Sequence, residues 1–175
     1  MALPTRKEQL QTAVLQAIHL GDLQHEGISI ALAENACSID IETEPPECRT
    51  LLLRAMEAAD VEKVKYFLNC GASPTHTCAN GLSPIEEACK IGHREIIEIL
   101  LEVGASMNVC NEIGEYPLTH AIRCASQTPD FVRWLLDAIP DLRISATDLM
   151  ETVVQGRHQI LCSLLDLEQA RLRES

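Results

Sequence analysis

Aromatic side chains are scarce in this 175-residue chain: two Phe, two Tyr and one Trp, or 3% of the whole. A core built from it must be mainly aliphatic, and 46% hydrophobic residues supply enough for one soluble domain. Basic residues are also few, 14 Lys and Arg against 26 Asp and Glu, for a formal net charge of -12. Phosphate backbones and anionic membrane surfaces repel such a chain. Nucleic acid and membranes are therefore not expected as ligands. A protein partner with a basic surface remains open, as does a charge that only maintains solubility. No apolar run approaches the roughly 18–20 residues needed to span a bilayer. Residues 1–20 carry Arg6, Lys7 and Glu8 with no unbroken apolar stretch, so no secretory leader is read there and an intracellular, cytoplasmic or nuclear setting is expected. Eight cysteines are present, but none are spaced as CxxC. Zinc-knuckle and thioredoxin readings lack support, and the cysteines read as reduced core or surface residues.

What the chain has is self-similarity at a shift of 33 residues. Gly71-Ala72-Ser73 falls on Gly104-Ala105-Ser106, Gly81 on Gly114 and Pro84 on Pro117. Ala55, Ala88 and Ala121 share a register, Val64 meets Ile97, and Phe67-Leu68 meets Leu100-Leu101. The clearest unit runs from Cys78 to Cys110. Ser83 suits an N-cap and Pro84 the first helical position, so a first helix is predicted to run to about Ile91. Gly92 permits a reversal. A second helix begins near Arg94 with Glu95 in its first turn, and Ile96, Ile97, Leu100 and Leu101 form its apolar stripe. Gly104 suits a left-handed helix end. An extended finger follows to Gly114. Such a helix pair cannot bury its stripe alone, so neighbours must stack on it.

The sequence Gly81-Leu82-Ser83-Pro84-Ile85-Glu86-Glu87-Ala88, then Gly92-His93-Arg94-Glu95-Ile96-Ile97, Leu100-Leu101 and Gly104-Ala105 to Asn108 resembles the ankyrin repeat. The resemblance implies an all-α solenoid of about five helix-turn-helix repeats with finger loops. As one domain over 1–175, the repeats fall at 8–37, 45–77, 78–110, 111–143 and 145–172. The middle repeats diverge: Ala59-Asp60 stands for Gly-His, Tyr116 replaces a capping residue, and residues 125–130 carry a two-residue insertion that Thr128 and Pro129 restart. The end repeats read as caps, with Val14, Ala17, Ile160, Leu164 and Leu165 among the expected buried positions. Residues 38–49 form a longer acidic loop, read either as a clamp for a basic partner or as a solvated loop.

No nucleophile–base set, phosphate loop or dinucleotide fingerprint is present, so neither enzymatic activity nor a cofactor is expected. Glu86 and Glu87 diverge by about 100° on a helix and do not share a site. His93 occupies a position that is structural in the family. His76 and Cys78 amount to half a metal site with Cys48 or Cys110 on adjacent fingers, but no ligand spacing supports one, and no metal is expected.

The resemblance further implies a protein partner held on the concave face, made of finger tips and the exposed side of each first helix. By register the positions are Glu47, Arg49 and Arg54; then Asn80, Leu82, Glu87, Lys90 and Ile91; then Glu112, Ile113, Glu115, Tyr116, His120 and Arg123. Leu82, Ile91 and Ile113 make an apolar centre with a charged rim, the layout of a specific interface. Asn108, eight residues after Leu100, resembles an asparaginyl hydroxylation target, although Ser106 replaces the usual acidic residue. The expectation is a monomeric scaffold or inhibitor. The alternative is a recognition module of a larger enzyme or effector, host-targeting or ubiquitin-related, with its activity elsewhere.

Overall fold

The computed structural model describes residues 4–24, 26–43, 48–79, 81–123, 129–139 and 141–174. Among them there are ten α-helices and no strand. The chain forms two compact units, residues 1–84 and 85–175.

In the first unit, α1 (Arg6–Leu20) packs on α2 (Glu26–Ala33), and α3 (Leu51–Glu57) packs on α4 (Val61–Asn69). Thr5 and Glu8 form a capping box that starts α1. Thr50 starts α3 by accepting a hydrogen bond from Leu53 N at 3.2 Å. This pins a helix whose Leu51, Leu52, Leu53, Ala55 and Met56 are all buried.

The corner between α3 and α4 shows how the chain replaces a missing Gly-His pair. Ala59 adopts φ +53°, as Gly92 adopts +80° one period later. Asp60 then caps α4, accepting from Lys63 N at 3.0 Å. At the later corner His93 does this work, its Nδ1 accepting from Ile96 N at 3.4 Å. His93 is thus structural, serving as a helix cap.

The second unit holds α5 (Pro84–Ile91), α6 (Arg94–Glu102), α7 (Pro117–Arg123), α8 (Pro129–Ala138), α9 (Ala146–Val154) and α10 (His158–Glu174). Here α7 packs on α8 and α9, and α10 on α8 and α9. The α6 stripe is fully buried at Ile96, Ile97 and Leu100, while Leu101 is half-buried. Ala55, Ala88 and Ala121, one register in sequence, are each fully buried; a small residue there lets paired helices approach closely. On α10 the stripe is narrower than expected. Ile160 and Leu164 are buried, but Leu165 is 43% exposed because it lies about 100° further round the helix. The inserted corner at 124–128, with Thr128, lies outside the described residues; α8 begins at Pro129. Trp134 stacks on Phe131 at 5.9 Å, with the Arg94 guanidinium 5.4 Å from its ring. It therefore serves packing within this unit.

Candidate protein-binding face

In the first unit Arg54, on α3, is not a free rim charge. Its guanidinium donates to the carbonyls of Ile18 at 2.6 Å and His19 at 3.1 Å, at the end of α1. Both carbonyls lie in the last turn of α1, where a cation is favoured, and Ile18 O also accepts from Gly21 N at 3.2 Å. Arg54 also pairs with Glu57 at 3.1 Å, and Arg49 reaches the same carboxylate at 2.7 Å. Leu82 is half-buried, and its carbonyl accepts from Cys78 N at 3.0 Å to close the finger turn. Glu47 and Asn80 lie outside the described residues.

Among the described residues of the acidic loop, both carboxylates, Asp40 and Glu42, are directed inward. Asp40 accepts from Ser73 N at 3.0 Å, and Glu42 accepts from Ala79 N at 2.9 Å while contacting His76 Nε2 at 2.7 Å. Thr43 and Arg49 bond reciprocally, Thr43 N to Arg49 O at 3.0 Å and Arg49 N to Thr43 Oγ1 at 2.9 Å, closing the loop at its base. Two of its carboxylates thus tie one finger to the next. Glu44 lies outside the described residues.

In the second unit a polar ladder crosses the first helices. Glu87 is buried at 3% exposure beneath Lys90, 3.2 Å away. His120 Nε2 lies 3.5 Å from Glu86 and 3.8 Å from Glu115. Arg123 grips Glu115 with two bonds, at 3.0 and 2.6 Å, and its Nε approaches Glu151 at 3.6 Å. The Arg123 guanidinium holds the Glu115 carboxyl below the ordinary carboxylate range, and Glu115 raises the guanidinium in turn. Sequence reasoning missed Glu151. It belongs to an end repeat too divergent for register to assign its face.

The apolar centre is reduced. Ile91 is half-buried, like Leu82, whereas Ile113 is 77% exposed. The Asn111 side chain builds the turn beneath Ile113, its Oδ1 accepting from Ile113 N at 3.2 Å and Glu115 N at 3.0 Å. Val109, on the same finger, is 65% exposed and was not singled out, because its register carries no apolar signature. Glu112 beside Ile113 is exposed. Tyr116 is half-buried, and its hydroxyl accepts from Arg143 Nη1 at 3.3 Å. Asn108 bridges fingers through both ends of its amide, Nδ2 donating to Asp141 O at 2.9 Å and Oδ1 accepting from Arg143 N at 2.8 Å.

In each unit the candidate positions are charged and largely self-paired, and the second unit carries an apolar finger tip at Ile113 and Val109. It is suited to contacting a protein surface. No helix among the described residues is long and apolar enough to cross a membrane. A family model described as ankyrin repeats, in three copies, matches residues 51–148. An ankyrin repeat-containing protein of Schizosaccharomyces pombe is 39% identical over 55 residues, 31% of this chain and 27% of that protein. Protein phosphatase 1 regulatory subunit 27 of Mus musculus is 28% identical over 103 residues, 59% of this chain and 64% of that protein. The chain thus spans less than two thirds of the length of either relative. With more than half its length matched in register, the chain belongs to the ankyrin-repeat family.

Proposed function

We propose that this chain is a non-catalytic scaffold or inhibitor, acting as a monomer, that holds one protein partner through its finger tips and first-helix surfaces. One observation carries the reading. Ile113, 77% exposed, sits on a turn that Asn111 fixes, between the carboxylates of Glu112 and Glu115. A rigid apolar tip flanked by charge matches the build of interface hot spots, where desolvated anchors dominate affinity. Likeness to a phosphatase regulatory subunit supports a regulatory role. The acidic balance favours a partner with a basic surface, met in the cytoplasm or nucleus. One ankyrin-repeat domain over 1–175 belongs to the same proposal.

The proposed contact set is Ile113 and Val109 together with Glu112, Glu115, Lys90 and Arg123. Glu87, buried, and Tyr116, half-buried in the same unit, belong to the structural support of this surface. Affinity capture from lysate tests the reading with wild type and an Ile113→Asp variant. Because Ile113 is exposed, the introduced charge should change the unfolding free energy by no more than about 0.5 kcal/mol. Loss of the captured partner at full stability supports the finger tip as the contact. Equal capture by both proteins rejects it.

A further inference from the structure

Glu42, His76 and Cys78 meet inside the first unit. One carboxylate oxygen, one imidazole nitrogen and the Sγ lie within 4.8 Å of one another. We propose that these three residues bind a divalent transition-metal ion of zinc's class, joining the 38–49 loop to the following finger.

The donor chemistry is mixed nitrogen, sulfur and oxygen, which suits zinc better than the hard cations calcium and magnesium. Around a tetrahedral zinc, these donors would stand about 3.3–3.8 Å apart. The His76–Glu42 pair, now at 2.7 Å, would open slightly, and the other separations, none above 4.8 Å, would close by at most about 1 Å. The backbone is already arranged for this. Glu42 Oε2 accepts from Ala79 N at 2.9 Å, which fixes the carboxylate while Oε1 turns from His76 to the metal. Such an outer bond is what orients a metal-ligating carboxylate. His76 coordinates through Nε2 as the neutral tautomer with its proton on Nδ1. The Cys78 thiol loses its proton to solvent as the S–metal bond forms, so each ion bound releases one proton. The fourth position falls to water, which leaves the Cys78 proton as the one released.

The electrostatics point the same way. Burial pushes the Cys78 thiol up to about 12, the nearby Glu42 and Asp40 carboxylates add to that, and the Arg49 charge works against it. Negative neighbours that disfavour a lone thiolate favour a dication beside it. Asp40 is engaged with Ser73 N and stays outside the set. Cys110, the other thiol that register suggested for this site, is exposed and belongs to the second unit.

The test uses the full chain, stripped with a chelator and titrated with cobalt(II) and zinc(II). Wild type is expected to take up one equivalent with a thiolate-to-cobalt charge-transfer band, to release one proton and to unfold at a higher temperature. Cys78→Ser should abolish the band, and His76→Gln should weaken binding roughly 100-fold or more. Cys110→Ser and Cys162→Ser should bind as wild type does. If Cys78→Ser does not fold, His76→Gln decides alone, since unchanged affinity in that variant overturns the site. Absence of the band in wild type, or a band that survives Cys78→Ser and vanishes in Cys110→Ser, also overturns it.

Discussion

The hydroxyl of Thr119 donates to the carboxylate of Asp148 at 2.6 Å, with both residues fully buried. The bond joins α7 to α9. Asp148 also accepts from the Ser145 amide at 2.7 Å and hydroxyl at 2.8 Å, so one carboxylate serves both a helix cap and an interhelix tie.

Thr119→Val keeps the shape and leaves one acceptor of a buried carboxylate unmet. The expected loss is about 1–3 kcal/mol. Asp148→Ala should cost more, because it orphans the Thr119 hydroxyl and also removes half of the capping box. Urea unfolding checks this through a lowered midpoint with an unchanged slope. Equal stability of Thr119→Val and wild type would show that the tie contributes nothing.

The Glu115–Arg123 pair carries a pH signature. Hydrogen bonds from Arg123 hold the Glu115 carboxyl below its usual value of 4.5. A depressed folded-state value means that the stabilisation is present above the unfolded value and lost as pH falls through the folded one. Half of the partner is in water, since the Arg123 side chain is 42% exposed, so screening limits the contribution to about 1 kcal/mol or less. Glu115→Gln should therefore destabilise the protein near neutral pH and have little effect at about pH 2. A mutant penalty that stays constant across this range would contradict the assignment.

Much of this molecule was legible in its sequence because the signals were backbone signals. Pro84 and Pro117 start helices, and the 33-residue register places Ala55, Ala88 and Ala121 in the core. Register also assigned the candidate positions along the chain. It did not reveal their burial, because neighbouring charges decide that. Glu87 is sealed by Lys90, Arg54 turns back to α1, and Leu82 and Ile91 are half covered. The inward use of Asp40 and Glu42 was illegible for another reason. Nothing in local spacing says that a loop carboxylate will find an amide more than 30 residues away.

Ala59 offers a test of backbone strain. At φ +53° it holds a conformation that L residues with a Cβ adopt at a cost of roughly 1–2 kcal/mol. Its counterpart one period later is Gly92. Ala59→Gly relieves the strain but adds freedom to the unfolded chain. The net expectation is a gain of about 0.5–1 kcal/mol, read as a higher thermal midpoint. A loss would mean that the neighbouring Asp60 cap, not the backbone angle, governs this corner.

Thiol reactivity separates the cysteines by environment. Cys70, Cys110 and Cys162 are exposed, whereas Cys78 and Cys89 are buried. Burial, reinforced by the Glu86 charge, pushes the Cys89 thiol well above its ordinary value, and Cys78 is raised to about 12. Since the thiolate is the reactive species, both buried groups are protonated and shielded at neutral pH. Under native conditions an alkylating reagent should modify the three exposed cysteines within the dead time of peptide mapping. Cys78 and Cys89 should react only as the fold opens, and their rates should rise with urea while those of Cys110 and Cys162 stay flat. Rapid native labelling of Cys89 would show that α5 opens locally without global unfolding.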